Sequence, residues 1–303
     1  MRISVLINRR AGSLVGADEK AIAGTVHAAF EAAGHEVGVE VLAPDALEAA
    51  LASIAAEPVD AVVVGGGDGT ANTAARAVMG TGKALGILPL GTLNRLARDL
   101  GMPLALEEAA NALAEGEVRH IDVAEVNGRL FLCNVIMGLP LHYTRERARL
   151  RGKPALERLL GYLGAVRRLL ESQRRMRLIV TTPGETRRLK ALSVAVSSNP
   201  YAQEPSMILR RESLDAGELV AYISRHSSGW AMAAATLRAL LGRIEGEPNV
   251  MQIRAPEMTI ASQRPRLTVS IDGEMHRLAT PLELTLRARA LPVLAPRRSP
   301  DAR

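Results

Sequence analysis

Residues 59–70 constrain the fold more tightly than any other stretch. Val59 to Val64 is a short, largely β-branched run, which predicts a strand buried on both faces. It breaks into Gly65, Gly66 and Gly67, followed by Asp68, Gly69 and Thr70. An alanine-rich stretch from Ala71 to Met79 then predicts a helix. Strand, glycine-rich turn and helix start together suit phosphate. Glycines let the backbone come close, and a helix N-terminus aims free N–H groups at an anion. The loop is no Walker A, because the lysine is missing, and Thr70 stands where a dinucleotide fingerprint needs its third glycine. A bare carboxylate would repel phosphate, so Asp68 makes sense if Mg²⁺ lies between them or if it orients a donor. The plainer alternative is an Asp–Gly turn with Asp68 or Thr70 as N-cap.

The first third alternates strand and helix. Strands are expected at Ile3–Ile7, Val37–Leu42 and Ala84–Leu88, and helices at Ala17–Ala33, from Pro44 to about Ala56, from Thr92 to about Leu100 and at Leu104–Glu115. This predicts a doubly wound α/β domain over 1–123, with ligands at the carboxyl ends of its parallel strands. Beyond Val118 the rhythm changes to short strands, with Val118–Val126 and Arg129–Val135 expected to pair about an Asn127-Gly128 hairpin turn. Strands are expected at 129–135, 176–182, 187–197, 218–223, 250–254, 257–261, 266–271 and 282–286, with helices at about 153–172 and 228–242. The expectation for 124–286 is an antiparallel β-sandwich-like domain, with the segment from 287 to 303 packing back on the first.

Composition narrows the function. The 303 residues are 48% hydrophobic, an ordinary globular content. A net charge of +6 with 2% aromatic residues offers neither a concentrated basic field nor stacking platforms, so nucleic-acid binding is not expected. Cys133, the single cysteine, is expected to be an inert core residue, and the absence of disulfides suits a reducing cytoplasm. The six histidines show no metal-ligand spacing.

A second loop, Pro89-Leu90-Gly91-Thr92-Leu93-Asn94, completes a pattern with Asn8, Gly12 and Gly66-Gly67-Asp68-Gly69-Thr70. Asn134, Gly138, Ser198-Asn199-Pro200-Tyr201, Asp215 with Gly217, and Asp272-Gly273-Glu274 follow in the second half. In this order and spacing the chain resembles the diacylglycerol kinase catalytic-domain family, in particular its soluble bacterial lipid kinases. The resemblance implies an ATP- and Mg²⁺-dependent transfer of phosphate to a lipid hydroxyl. It implies nucleotide contacts from Asn8, Gly12, Gly66, Gly67, Asp68, Gly69, Thr70, Asn72, Thr92 and Asn94. Asp68 would meet the ATP-bound Mg²⁺. Glu274 would be the general base, facing the nucleotide cleft from the second domain, with Asp272 as runner-up. Without the resemblance, Asp272-Gly273-Glu274 reads as a hairpin turn, and Thr92 as the N-cap of its helix.

Two departures from the family pattern stand out. Arg95 replaces an aspartate, and arginine cannot coordinate Mg²⁺. Ala216 replaces a metal-binding aspartate of the second domain, leaving Asp215 as a weaker candidate. A kinase of a soluble metabolite, such as an NAD kinase, and a catalytically weak nucleotide- or lipid-binding protein remain alternatives. Arg145, Arg147, Arg149, Arg151 and Lys153 form a basic linker before the helix at 153–172. It reads either as a solvated face or as a dock for anionic lipid headgroups. The expected partners are therefore a lipid substrate and transiently an anionic membrane surface, in a cytoplasmic chain peripheral to the inner membrane, with a homodimer left open.

Overall fold

The computed structural model describes residues 1–14, 18–138, 175–202, 209–240 and 249–297, with Leu141, Glu157, Gly161, Gly164, Arg167 and Glu171 besides. The basic linker from Arg145 to Lys153 and most of the helix expected after it lie outside the described residues. The chain divides into two compact units, one made by Met1–Val123 with the segment from Ala288, the other by Ala124–Arg287.

In the first unit, β1 (Arg2–Asn8), β2 (Glu36–Leu42), β3 (Ala61–Gly66) and β4 (Ala84–Pro89) form a parallel sheet in the order β2-β1-β3-β4. Every residue of β3 and β4 is buried, as a near-continuous apolar run in a two-faced parallel sheet should be. Helix α1 (Glu19–Ala32) makes the β1-to-β2 crossover, and α2 (Pro44–Ser53) returns from β2 to β3 in the opposite direction. Right-handed crossovers put these two helices on opposite faces. Helix α3 (Asp68–Val78) packs beside α2, and α5 (Leu106–Ala114) beside α1, so the sheet is covered on both sides. Asp18 caps α1 by accepting the Lys20 N–H, and Ile22, Val26 and Phe30 form the buried stripe of that helix. Strand β16 (Leu282–Ala295) brings Val293 alongside Leu85 in parallel.

The second unit is a sandwich of two antiparallel sheets. One contains the first part of β16, then β13 (Glu257–Ser262), β8 (Met176–Thr182) and β9 (Glu185–Ala191). The hairpin of β5 (Glu117–Val126) and β6 (Arg129–Phe131) also joins it through β16. The other has the order β12-β11-β10-β7-β14-β15. These are Val250–Ala255, Leu219–Ser224, Ser193–Ser198, Asn134–Gly138, Arg266–Ile271 and Glu274–Ala279. Phe131, Leu178, Val180 and Ile260 from the first sheet share one core with Val135, Met137, Val196 and Val269 from the second. Helix α6 (Gly229–Leu240) begins where Ser228 Oγ accepts the Ala231 N–H, an N-terminal cap.

The α/β plus antiparallel β class agrees with expectation, but several boundaries move. The run expected at 129–135 is two strands, β6 and β7, in different sheets, and that expected at 187–197 is β9 and β10, also in different sheets. At the first crossing Leu130 to Cys133 is an unbroken apolar run with no alternation to interrupt, and at the second the only trace is the adjacent pair Ala191-Leu192, where the inward-facing positions shift by one. The helix expected from Thr92 shortens to α4 (Arg95–Asp99). β15 and the long second half of β16 were not expected.

Phe30 is fully buried on the inner face of α1. Phe30→Ala is predicted to destabilise the first unit by about 3–5 kcal/mol, read as a lowered denaturation midpoint by circular dichroism. An unchanged midpoint would contradict this packing.

Candidate active site

Three loops meet at the carboxyl ends of β1, β3 and β4. The strand β3 runs further than expected: Gly65 and Gly66 still pair, with Leu88 and Pro89, and the turn is confined to Gly67. The reason is steric. A Cβ on Gly66 would lie 2.5 Å from Thr70 Oγ1, and one on Gly65 would lie 3.0 Å from Ile7 and Leu90 side-chain carbons. The glycines therefore serve close packing as well as the turn. Helix α3 starts at Asp68, so the first-turn amides of Asp68, Gly69 and Thr70 sit at a helix N-terminus, where backbone N–H groups lack intrahelical acceptors.

Asp68 is not the N-cap of its own helix, and neither is Thr70; Gly67 holds that position without a side-chain bond. Asp68 Oδ1 instead accepts the backbone N–H of Arg95 at 2.7 Å, the first residue of α4. The carboxylate thus caps the neighbouring helix, a charge-assisted bond to a helix N-terminus. This is the donor-orienting role that the sequence left open beside the metal role.

Asn94, not Thr92, occupies the cap position of α4, in a left-handed conformation at φ 49°. It is buried, accepts the Gly91 N–H at 2.9 Å through Oδ1, and donates through Nδ2 to the Pro89 and Gly91 carbonyls. Gly91 and Gly67 meet backbone to backbone. A Cβ on Gly91 would lie 2.3 Å from the Gly67 Cα, so any side chain there would push the two loops apart. Thr92 is exposed, and a Cβ on Gly12 would sit 3.8 Å from its Oγ1. Asn8 turns the β1 loop by accepting the Arg10 N–H at 2.9 Å, and donates to Thr70 Oγ1 at 3.3 Å. Asn72 lies within α3, half-buried. The first unit therefore gathers Asn8, Gly12, Gly66, Gly67, Asp68, Thr70, Thr92 and Asn94 into one loop cluster.

In the second unit, Asp272 and Gly273 are the two-residue turn of the β14–β15 hairpin, at φ 47° and 97°. The Asp272 carboxylate accepts three backbone N–H groups: Leu132 at 2.7 Å on Oδ2, and Cys133 and Asn134 at 2.9 Å on Oδ1. Those amides belong to the break where the chain passes from β6 in one sheet to β7 in the other. Around the same break sequence reasoning named Asn134, Ser198 and Tyr201 but missed Arg211, Ser197 and Tyr222. Buried Arg211 donates to the Leu132 carbonyl and to Ser198, and Ser197 and Ser198 hydroxyls donate to the Cys133 and Leu132 carbonyls. Asn134 Nδ2 donates to the Tyr201 hydroxyl at 2.8 Å, and Tyr222 accepts the Tyr201 N–H. A lone arginine beside Arg210 gives no sequence signal of burial.

Glu274 begins β15 with its side chain 71% exposed, and His276, two residues on, approaches it at 3.9 Å. The two acids of the turn thus differ: Asp272 is bound to backbone amides, while Glu274 is presented to solvent. Asp215 accepts the Ser213 hydroxyl at 2.5 Å. Among the described residues no three His, Cys, Asp or Glu side chains gather as a metal site.

Comparison with known proteins supports the resemblance. Residues 2–126 match the model of the diacylglycerol kinase catalytic domain. A probable lipid kinase YegS of Salmonella newport is 40% identical over 84 residues, and a YegS-like probable lipid kinase of Citrobacter koseri is 42% identical over 84. Each alignment covers 26% of this chain and 28% of the relative. A crystal structure of a diacylglycerol kinase from Bacillus anthracis strain Sterne superposes with a TM-score of 0.69 at 19% identity, over 97% of this chain and 96% of that one. A second structure from that organism gives 0.75 at 21%, over 97% of both chains. At these identities the structural likeness shows the fold.

Asp272→Asn replaces one acceptor oxygen with an NH₂ group facing backbone donors, and is predicted to destabilise the second unit by about 2–4 kcal/mol. Glu274→Gln is exposed and should leave stability within about 0.5 kcal/mol. Equal denaturation midpoints for the two variants would contradict the structural assignment of Asp272.

Proposed function

We propose, from the similarity of residues 2–126 to the diacylglycerol kinase catalytic domain, that the chain is a lipid kinase that moves the γ-phosphoryl group of ATP to a lipid hydroxyl. The observation that carries this is the convergence of the three loops at the carboxyl ends of β1, β3 and β4, held by the Asp68–Arg95 bond. Diacylglycerol is the acceptor named for the similar structures, and it is the acceptor proposed here.

In this reading the α3 N-terminal amides and the glycine backbone receive the nucleotide phosphates, with Asn8 and Thr92 at the rim. Bound Mg²⁺ would neutralise phosphate charge, held by phosphate oxygens with Asp68 beside it. Asp68 also keeps the α4 amide in place, so its two duties converge on one carboxylate. Arg95, which replaces an acidic residue of the family pattern, keeps the backbone N–H that Asp68 needs, because that bond does not depend on the side chain. As the lipid oxygen bonds to the γ-phosphorus and the bond to the ADP oxygen breaks, Glu274 takes the hydroxyl proton. Asp272 suits that role less, because accepting a proton would cost it bonds to three amides.

The test is transfer of label from ATP to a bacterial lipid extract, with identification of the product. Label is expected on a diacylglycerol-derived phosphate ester; label confined to water-soluble metabolites would contradict the reading. Asp68→Asn keeps an acceptor oxygen for Arg95 but loses the charge, and should abolish transfer with the fold intact. Glu274→Gln should lower turnover by about two to four orders of magnitude with ATP affinity nearly unchanged. Normal turnover in Glu274→Gln would remove it as the base.

A further inference from the structure

The hairpin of β8 and β9 presents a concentrated cationic face. Across its register Arg177 lies opposite Lys190 and Ile179 opposite Arg188, and all four are exposed. Strand β9 is the last of its sheet among the described strands. Charges on an edge strand have an ordinary role, which is to discourage pairing with another chain. Here the arrangement goes further. A cavity of about 530 Å³ opens beside the strand, lined among the described residues by Arg175, Arg187, Arg188, Lys190 and Arg225, with Leu189 and Met251 between them. A second hollow of about 480 Å³ shares Arg188 and Lys190 and adds Arg177 and Ile179. The carboxylate of the hairpin, Glu185, is taken by Arg187 at 2.5 Å, an exposed pair that lowers the glutamate pKa and raises that of the arginine. Glu185 therefore does little to neutralise Arg188 and Lys190 on the outer face.

We propose that this edge is a docking site for the headgroups of anionic phospholipids at a membrane surface. Clustered cations attract an anionic leaflet, and a cavity ringed by guanidinium groups suits a phosphate. Ile179, Leu189 and Met251 give the patch an apolar element that a headgroup region can accept. Nucleic acid is the lesser fit, because among the described residues no aromatic side chain lines either hollow to stack on a base. The inference rests on the lipid-kinase reading for its purpose, since such an enzyme meets its acceptor at a bilayer. Its test needs no catalysis.

The full chain, without ATP, is sedimented with vesicles of phosphatidylcholine alone or mixed equally with phosphatidylglycerol. Binding is expected to the mixed vesicles, and to fade as salt rises from about 0.05 to 0.3 M. Arg188→Glu with Lys190→Glu should lower the partition coefficient roughly tenfold or more, and Arg188→Gln with Lys190→Gln should lower it by a smaller factor, so that a folding defect in one pair does not decide the matter. Arg2→Glu with Arg129→Glu makes the same charge change at exposed positions elsewhere and should bind nearly as the parent does. Unchanged binding in the Arg188 and Lys190 variants, or an equal loss in the Arg2 and Arg129 variant, overturns the proposal. So does loss of single-stranded RNA binding with vesicle binding intact.

Discussion

The site depends on two glycines that touch. Gly67 and Gly91 come so close that a Cβ on Gly91 would lie 2.3 Å from the Gly67 Cα, and this contact brings the loops after β3 and β4 together. Shape alone would leave the loops free to slide. Asp68 fixes them by binding the first amide of α4 from the first residue of α3, and Asn94 closes the second loop on itself with three bonds. One carboxylate thus orders the loop pair and puts negative charge where a phosphate-bound cation would need it. In the proposed reading, the repulsion between Asp68 and a bound phosphate would be offset in part by the amides around it, a physical reason for an acid in such a loop.

A comparable economy operates in the second unit. A chain that leaves one sheet and enters another must break its ladder, and the exposed amides need acceptors in a buried setting. Asp272 supplies them for Leu132, Cys133 and Asn134, while Arg211, Ser197 and Ser198 serve the carbonyls. The hairpin that carries Asp272 also carries Glu274, so the clamp that secures the sheet crossing also sets the position of the exposed acid. Stability and proposed chemistry are divided between two residues that are nearly adjacent in sequence.

The sheet of the first unit was legible because its inner strands are continuous apolar runs and its edge strand β2 alternates, all bounded by glycine, proline and caps, and the loops because their residues are unusual. What the residues do inside the loops was less legible. Asp68 was readable as an acid in need of a partner, but its partner is a backbone amide 27 residues away, and amides leave no mark in a sequence. Thr92 had the chemistry of an N-cap, yet the left-handed Asn94 took the position because its side chain also closes the loop. The sheet crossings at 132–133 and 192 were hard to read, because the first lies in an unbroken apolar run and the second is marked only by the one-residue phase shift at Ala191-Leu192. Asp272 read as a turn and is one, but its grip on the crossing is a tertiary fact.

The central claim is that the Gly67–Gly91 contact builds a nucleotide-phosphate site. Calorimetric titration of ATP with Mg²⁺ into the parent chain and into Gly91→Ala tests it most directly. Parent binding, weakened at least tenfold in a Gly91→Ala variant whose circular dichroism is unchanged, is the predicted result. Equal affinity in the two proteins would contradict the account.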